Sequence, residues 1–203
     1  MEPAGKFSKR ARTESIGSGA AEHLRYIRNT IEAAQTFTTI PGKGCIAMGL
    51  AALVAAGLET VPALGAHWLP IWLTAAVLAA AIALYFMEEK ARAQGLSLRR
   101  TVATRFFLTL APAFAAGGIL TVALTDTVGR ETIAGIWLLL YGVGIAACGV
   151  FSIPVVLIAG FAFMGFGAVA LAAPAAWAPF LLGAGFGGIH LVLGAIVIRD
   201  HGG

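Results

Sequence analysis

Charge is what this chain has least of. From Thr132 to Ile198 there is no Asp, Glu, Lys or Arg, a run more than three times the roughly 20 residues that cross a bilayer. Only 12% of the 203 residues are charged, about half the share usual in a soluble domain, and the mean hydropathy is +0.86. An ordinary globular enzyme is excluded. Cysteine is scarce as well: Cys45 and Cys148 are the only two, too few for a disulfide-stapled secreted module. Both are expected toward the cytoplasmic side, reduced, as small packing residues. Also missing are a G-x-S-x-G elbow, an H-E-x-x-H helix, a carboxylate pair in the apolar zone, a glycine-rich phosphate loop and any serine inside a span. Without a nucleophile and base in reach of each other, the chain reads as non-enzymatic.

What is present is a basic start followed by apolar runs. Residues 1–19 mix Lys6, Lys9, Arg10 and Arg12 with Ser and Gly, a composition that buries too little apolar surface to offset the entropy of ordering. A flexible cytoplasmic tail is expected. Across 20–36, Leu24, Ile27, Ile31 and Ala34 recur at helical spacing, with Ser18 before and Pro41 after, which predicts a short amphipathic helix. The first long apolar run starts only near Gly44, too late for a signal peptide. The expected fold is an all-α polytopic membrane bundle over 44–198, followed by a short C-terminus, 199–203. Its six spans run over 44–58, 68–87, 104–124, 133–151, 155–173 and 179–198. The last three are divided by proline rather than charge, so a reading with four or five spans, one re-entrant, stays open.

Orientation follows from counting. With the N-terminus cytoplasmic, thirteen of the 14 Lys and Arg face inward and only Arg130 lies outside, as the positive-inside rule asks. Trp68, Trp72, Trp137 and Trp177, all four tryptophans, then fall near outer span ends, where indole rings favour the headgroup level. Both termini are expected to be cytoplasmic. The basic residues Arg25, Arg28, Arg99, Arg100 and Arg105 are expected to meet anionic lipid headgroups, which accounts for a pI of 9.4 without nucleic acid.

Ionisable groups inside a membrane are costly and so mark candidate sites. His190 is the one near mid-span. Gly183, Gly187, His190 and Gly194 fall at spacings of four, three and four, which on an α-helix is one face, open to close approach by a neighbour. Tyr141, between leucines and Gly142 in the fourth span, lies at similar depth and is the expected partner. The pair reads first as a structural pin and second as a proton or solute site. A haem or metal site is disfavoured because His23, His67 and His201 all lie at or beyond the surface, so no cofactor and no metal is expected. Glu59, His67, Asp126 and Glu131 flank the outer loops and form a candidate outer mouth, cation-attracting or pH-sensing; the plainer account is that loops need polar residues where they meet water.

Three segments, HLRYIRNTIEAAQTFTTIPGKG before the first span, IWLLLYGVGIAACGVFSIPVV (Ile136 to Val156) and GFGGIHLVLGAIVIRDHGG (Gly185 to Gly203), resemble those of a family of small bacterial six-helix membrane proteins. The resemblance runs from Glu22 to the C-terminus and implies a bacterial inner-membrane location, with no activity attached. The function expected is that of an accessory, scaffold or sensor component working through contacts: with lipid, with a second copy, or with a membrane or cytoplasmic protein. The alternative is a channel or transporter for a small solute, gas or proton, with His190 and Tyr141 at the constriction. Cysteines placed at Ser8 and His201 should react with an impermeant thiol label only from the cytoplasmic side, and cysteines at Pro62 and Thr127 only from outside. Labelling of position 201 from outside would break this topology.

Overall fold

The computed structural model describes residues 24, 26, 40–93 and 102–201. The chain divides into two units, Met1–Thr36 and Phe37–Gly203. The expected tail and most of the expected amphipathic helix lie outside the described residues; of the first unit, Leu24 and Tyr26 are helical and exposed.

The second unit is an all-α polytopic bundle with six helices long and apolar enough to cross a membrane. They are α1 (Gly42–Thr60), α2 (Trp68–Ala93), α3 (Val102–Leu124), α4 (Arg130–Gly149), α5 (Pro154–Ala172) and a composite last helix. That last helix begins with a 3-10 turn, Ala175–Trp177, and continues as α6 (Ala178–Leu182), a π-helical segment Gly183–Ile189 and α7 (His190–His201). The reading with fewer spans is thereby replaced by six. Proline sets several of the borders. Pro41 is extended and precedes α1, Pro154 opens α5 behind an extended Ile153, and Pro174 is extended before the 3-10 turn, because proline supplies a fixed φ and holds the residue before it out of the helical region. The first span is not short: it gains Gly42 and Lys43 at one end and Glu59 and Thr60 at the other. The second runs on through Lys90 and Arg92 to Ala93, past the expected end at Met87.

One end of the bundle carries the start of α1 and the end of α7, with Lys43, Lys90, Arg92, Arg105 and Arg199; we call it the basic end. The other carries Trp68, Trp72, Trp137 and Trp177 and is called the aromatic end.

Two helix pairs make the frame, and glycine makes both. In α4 and α5, a Cβ built on Gly142 would lie 2.7 Å from the Gly160 carbonyl oxygen, one on Gly160 would run into the Ala146 backbone nitrogen, and one on Gly149 would lie 2.5 Å from the Leu157 backbone. Gly135 and Gly167 likewise face each other's backbones. The same arrangement joins α1 to the last helix: Gly42 faces the Gly194 carbonyl at 2.9 Å and Gly49 the Gly187 carbonyl at 2.8 Å. In lipid, where helices gain nothing by leaving water, this close backbone approach is the main source of association. Helices α2 and α3 are attached differently. Helix α2 packs on α1 and α3 on α4, while α2 and α3 make at most marginal contact with each other among the described residues. None of the apolar window of α2 is buried, against 50% of that of α4.

Valine at Gly142 or Gly160 should therefore force α4 and α5 apart and cost about 1–3 kcal/mol or more by overpacking. Alanine at Gly165, where nothing lies within 4 Å, should be neutral or slightly stabilising through helix propensity. Thermal unfolding in detergent measures all three; equal midpoints would contradict the seam.

Candidate functional site

His190 begins α7 directly after the π-helical segment, and the segment decides how it is held. A regular α-ladder would give the Phe186 carbonyl to the His190 backbone N–H. Here that N–H bonds the Gly187 carbonyl instead, and the Phe186 oxygen lies 2.6 Å from the ring Nδ1 of His190. A carbonyl only accepts, so Nδ1 carries the proton. Nε2 of the neutral ring is then an acceptor, and the Tyr141 hydroxyl, 2.9 Å away, donates to it. Both ring nitrogens are occupied and the imidazole is 6% exposed. Aromatic rings close around the pair: Phe163, Phe186 and Phe114 lie 4.8, 5.2 and 6.1 Å from the Tyr141 ring centre, with Phe163 also 5.3 Å from the imidazole.

Sequence spacing places His190 on the face of Gly183, Gly187 and Gly194. The three glycines do line one side, against Ala56, Leu53 and Ile46 of α1. The imidazole leaves that side for Tyr141 of α4 and Phe163 of α5. The wider turn of the π-helical segment increases the angle between His190 and the glycines at 183 and 187, while Gly194 keeps the ordinary i, i+4 offset from His190 within α7.

The outer-mouth residues do not form one cluster. His67 and Asp126 are exposed. Glu59 turns into the bundle: its side chain has 0% of its surface exposed, one oxygen accepts from the Trp72 indole N–H at 2.7 Å and the other meets the Arg130 guanidinium at 3.4 Å. The Glu131 carboxylate folds over Gly129 and leaves no room there for a side chain, and its Oε2 is buried without a partner. Arg130 also donates to the Ala175 carbonyl at 3.2 Å, so one guanidinium links α1, α4 and the turn before α6. Sequence reasoning missed Arg130. The available signal was the single cation on the aromatic side, within reach of a carboxylate that an apolar helix end cannot leave unpaired.

Among the described residues no three His, Cys, Asp or Glu side chains lie close enough together to hold a metal ion. Cys45 and Cys148 are buried thiols, and Cys148 donates to the Phe106 carbonyl at 3.5 Å. A second polar tie on the aromatic side joins α3 to α4: the Trp137 indole donates to Thr121 at 2.9 Å, and Thr121 donates back to the Gly117 carbonyl of its own helix at 2.8 Å.

One large cavity, about 570 Å³, lies between α2 and α3, with residues of α1, α4 and the last helix behind it. It reaches Tyr141 and His190, and its wall is otherwise almost wholly aliphatic and aromatic, from Trp68 and Trp72 at the aromatic end to Ile40, Met87 and Phe106 at the basic end.

In comparisons with protein-family models, with curated proteins and with solved structures, nothing matches the chain.

Removing Arg130 should expose how much the bundle depends on the Glu59 pairing. Arg130→Gln leaves a buried carboxylate with the indole alone and should cost about 2 kcal/mol, below the usual cost of breaking a buried pair because the guanidinium is 33% exposed. Adding Glu59→Gln should recover part of the loss. Strictly additive losses in chemical unfolding would show that the two do not interact.

Proposed function

We propose that the chain is a non-enzymatic integral membrane protein of a bacterial inner membrane, an accessory, scaffold or sensor component that works through its helix faces and its basic end. The observation that carries this reading is the closed state of the intramembrane polar pair. Tyr141 donates to His190, His190 donates to its own backbone, and both ring nitrogens are already engaged. The other buried polar side chains with resolved partners behave alike: Glu59 and Thr121 are each bound by a neighbouring indole. Polar groups spent on each other are structural pins. The proposed orientation, both termini cytoplasmic, is supported by the distribution of Lys and Arg and by the four tryptophans at the opposite end. The bacterial inner membrane rests on the family resemblance alone.

The competing reading, a channel or transporter for a small solute, gas or proton, draws on one observation, that the cavity touches both His190 and Tyr141. Its aliphatic and aromatic wall offers a hydrated ion or a water chain few polar partners. Reconstituted into proteoliposomes, the intact protein should pass no protons and no small solutes above the lipid background. Tyr141→Phe leaves His190 Nε2 unpaired and should lower stability by about 1–3 kcal/mol; combined with His190→Phe, the losses should be less than additive. A proton flux abolished by either substitution, with stability unchanged, would overturn the accessory reading in favour of the channel.

A further inference from the structure

We infer that the slot between α2 and α3 is a binding site for one hydrocarbon chain of an anionic phospholipid, with the phosphate at the basic end of the bundle. Its wall follows α2 from Trp68 to Met87, a rise of about 28 Å at 1.5 Å per residue, close to the roughly 30 Å of a bilayer's hydrocarbon core, so the chain of a lipid whose phosphate is at the basic end lies along about half of the slot. A volume of about 570 Å³ open to the centre of a water-sized sphere, spread over that length, leaves about 5 Å of free travel, or about 8 Å between walls once the sphere's radius of about 1.4 Å is added on each side. An α-helix, about 10–12 Å wide with its side chains, does not fit. Hydrocarbon chains, which meet their neighbours at about 4 Å, do. The trough is cut by small side chains: Ala76, Ala79, Ala80 and Ala83 line it along one stripe of α2. Because α2 and α3 scarcely touch, the slot is reachable sideways from the bilayer. At mid-depth it meets the Tyr141 and His190 pair, whose donors are already engaged, so the occupant needs no polar group there. That fits plain hydrocarbon.

The charge at the two ends differs, and this sets the direction of the lipid. At the basic end, where Ile40, Met87 and Phe106 line the slot, Lys43 and Arg105 are exposed in the first turns of α1 and α3. Lys90 is held beside the slot by donating to the Ile40 carbonyl at 3.1 Å. The nearby carboxylates are Glu88, which pairs with Arg92 at 2.8 Å, and the exposed Glu89, so cations outnumber anions. At the other end the wall is Trp68 and Trp72, Arg130 is already engaged by Glu59, and the Glu131 carboxylate adds negative charge. A phosphodiester is the anion a membrane supplies at this depth, and each nearby Lys or Arg strengthens its binding by about 1 kcal/mol.

The inference deepens the accessory reading, and its test reads retained lipid rather than flux, so either can fail alone. The intact chain, purified in a mild detergent and stripped of lipid, is titrated with phosphatidylglycerol or phosphatidylcholine of identical long chains and weighed by native mass spectrometry. We expect one phosphatidylglycerol per monomer, bound more tightly than phosphatidylcholine. A phosphatidylglycerol with six-carbon chains keeps the headgroup but fills little of the slot and should bind at least roughly tenfold more weakly. Ala79→Phe should weaken the long-chain lipid by a similar factor. Lys43→Gln with Arg105→Gln should weaken phosphatidylglycerol roughly fivefold per charge removed and leave phosphatidylcholine unchanged. Equal binding of long and short chains by the unmodified protein would overturn the chain site. Equal binding of the two headgroups would overturn the placement of the phosphate, and a lipid-free dimer that excludes lipid would give the slot to a second copy.

Discussion

The bundle depends on backbone meeting backbone along two seams. In both, the glycines recur every seven residues: Gly42 and Gly49 against Gly187 and Gly194, then Gly135, Gly142 and Gly149 against Gly160 and Gly167. A seven-residue period keeps one line of a helix turned toward a slightly inclined neighbour over several turns. Where that line is glycine, the axes come close enough for dispersion and weak backbone contacts to substitute for a hydrophobic effect that lipid does not provide. One seam carries α4 and the other the last helix, the two helices whose Tyr141 and His190 meet at 2.9 Å.

Helices α2 and α3 are guests on this frame. Each packs on one frame helix and is pinned there by specific polar and aromatic contacts. Helix α2 is held by the Trp72 indole on Glu59 at one end and Lys90 on the Ile40 carbonyl at the other, and α3 by Thr121 on Trp137 and by Phe114 stacked near Trp137 and Tyr141. With no glycine seam between them, the two leave a slot of about 570 Å³. The frame pairs set backbone against backbone at glycine, whereas α2 and α3 meet the frame through side chains, Phe86 on Gly44, Leu110 on Gly144 and Trp137 on Gly117.

Much of the architecture was legible because bilayer thickness acts on composition directly: six apolar runs, their proline borders and the depth of His190 and Tyr141 all follow from where charge is missing. The seven-residue glycine spacing was also readable, though only the glycines nearest His190 were used. Three features were not. The π-helical segment arises from Gly-rich GAGFGGI, where weak propensity permits a wide turn but does not require one. The pairing of Glu59 with Arg130 joins residues whose helices are not neighbours in sequence. The gap between α2 and α3 is a property of what fails to pack, and apolar composition is the same on a face that meets lipid as on one that meets protein.

The wide turn in the last helix has a geometric meaning. In a regular α-helix each side chain's direction is fixed relative to all others by a constant rotation, so choosing which residues face α1 also chooses where His190 points. A single π-helical stretch adds a phase step between Leu182 and His190. The helix thereby acts as two separately indexed rods: Gly183 before the step is set against Ala56 of α1, while beyond it the imidazole is aimed at α4 and Gly194, four residues on, returns to α1.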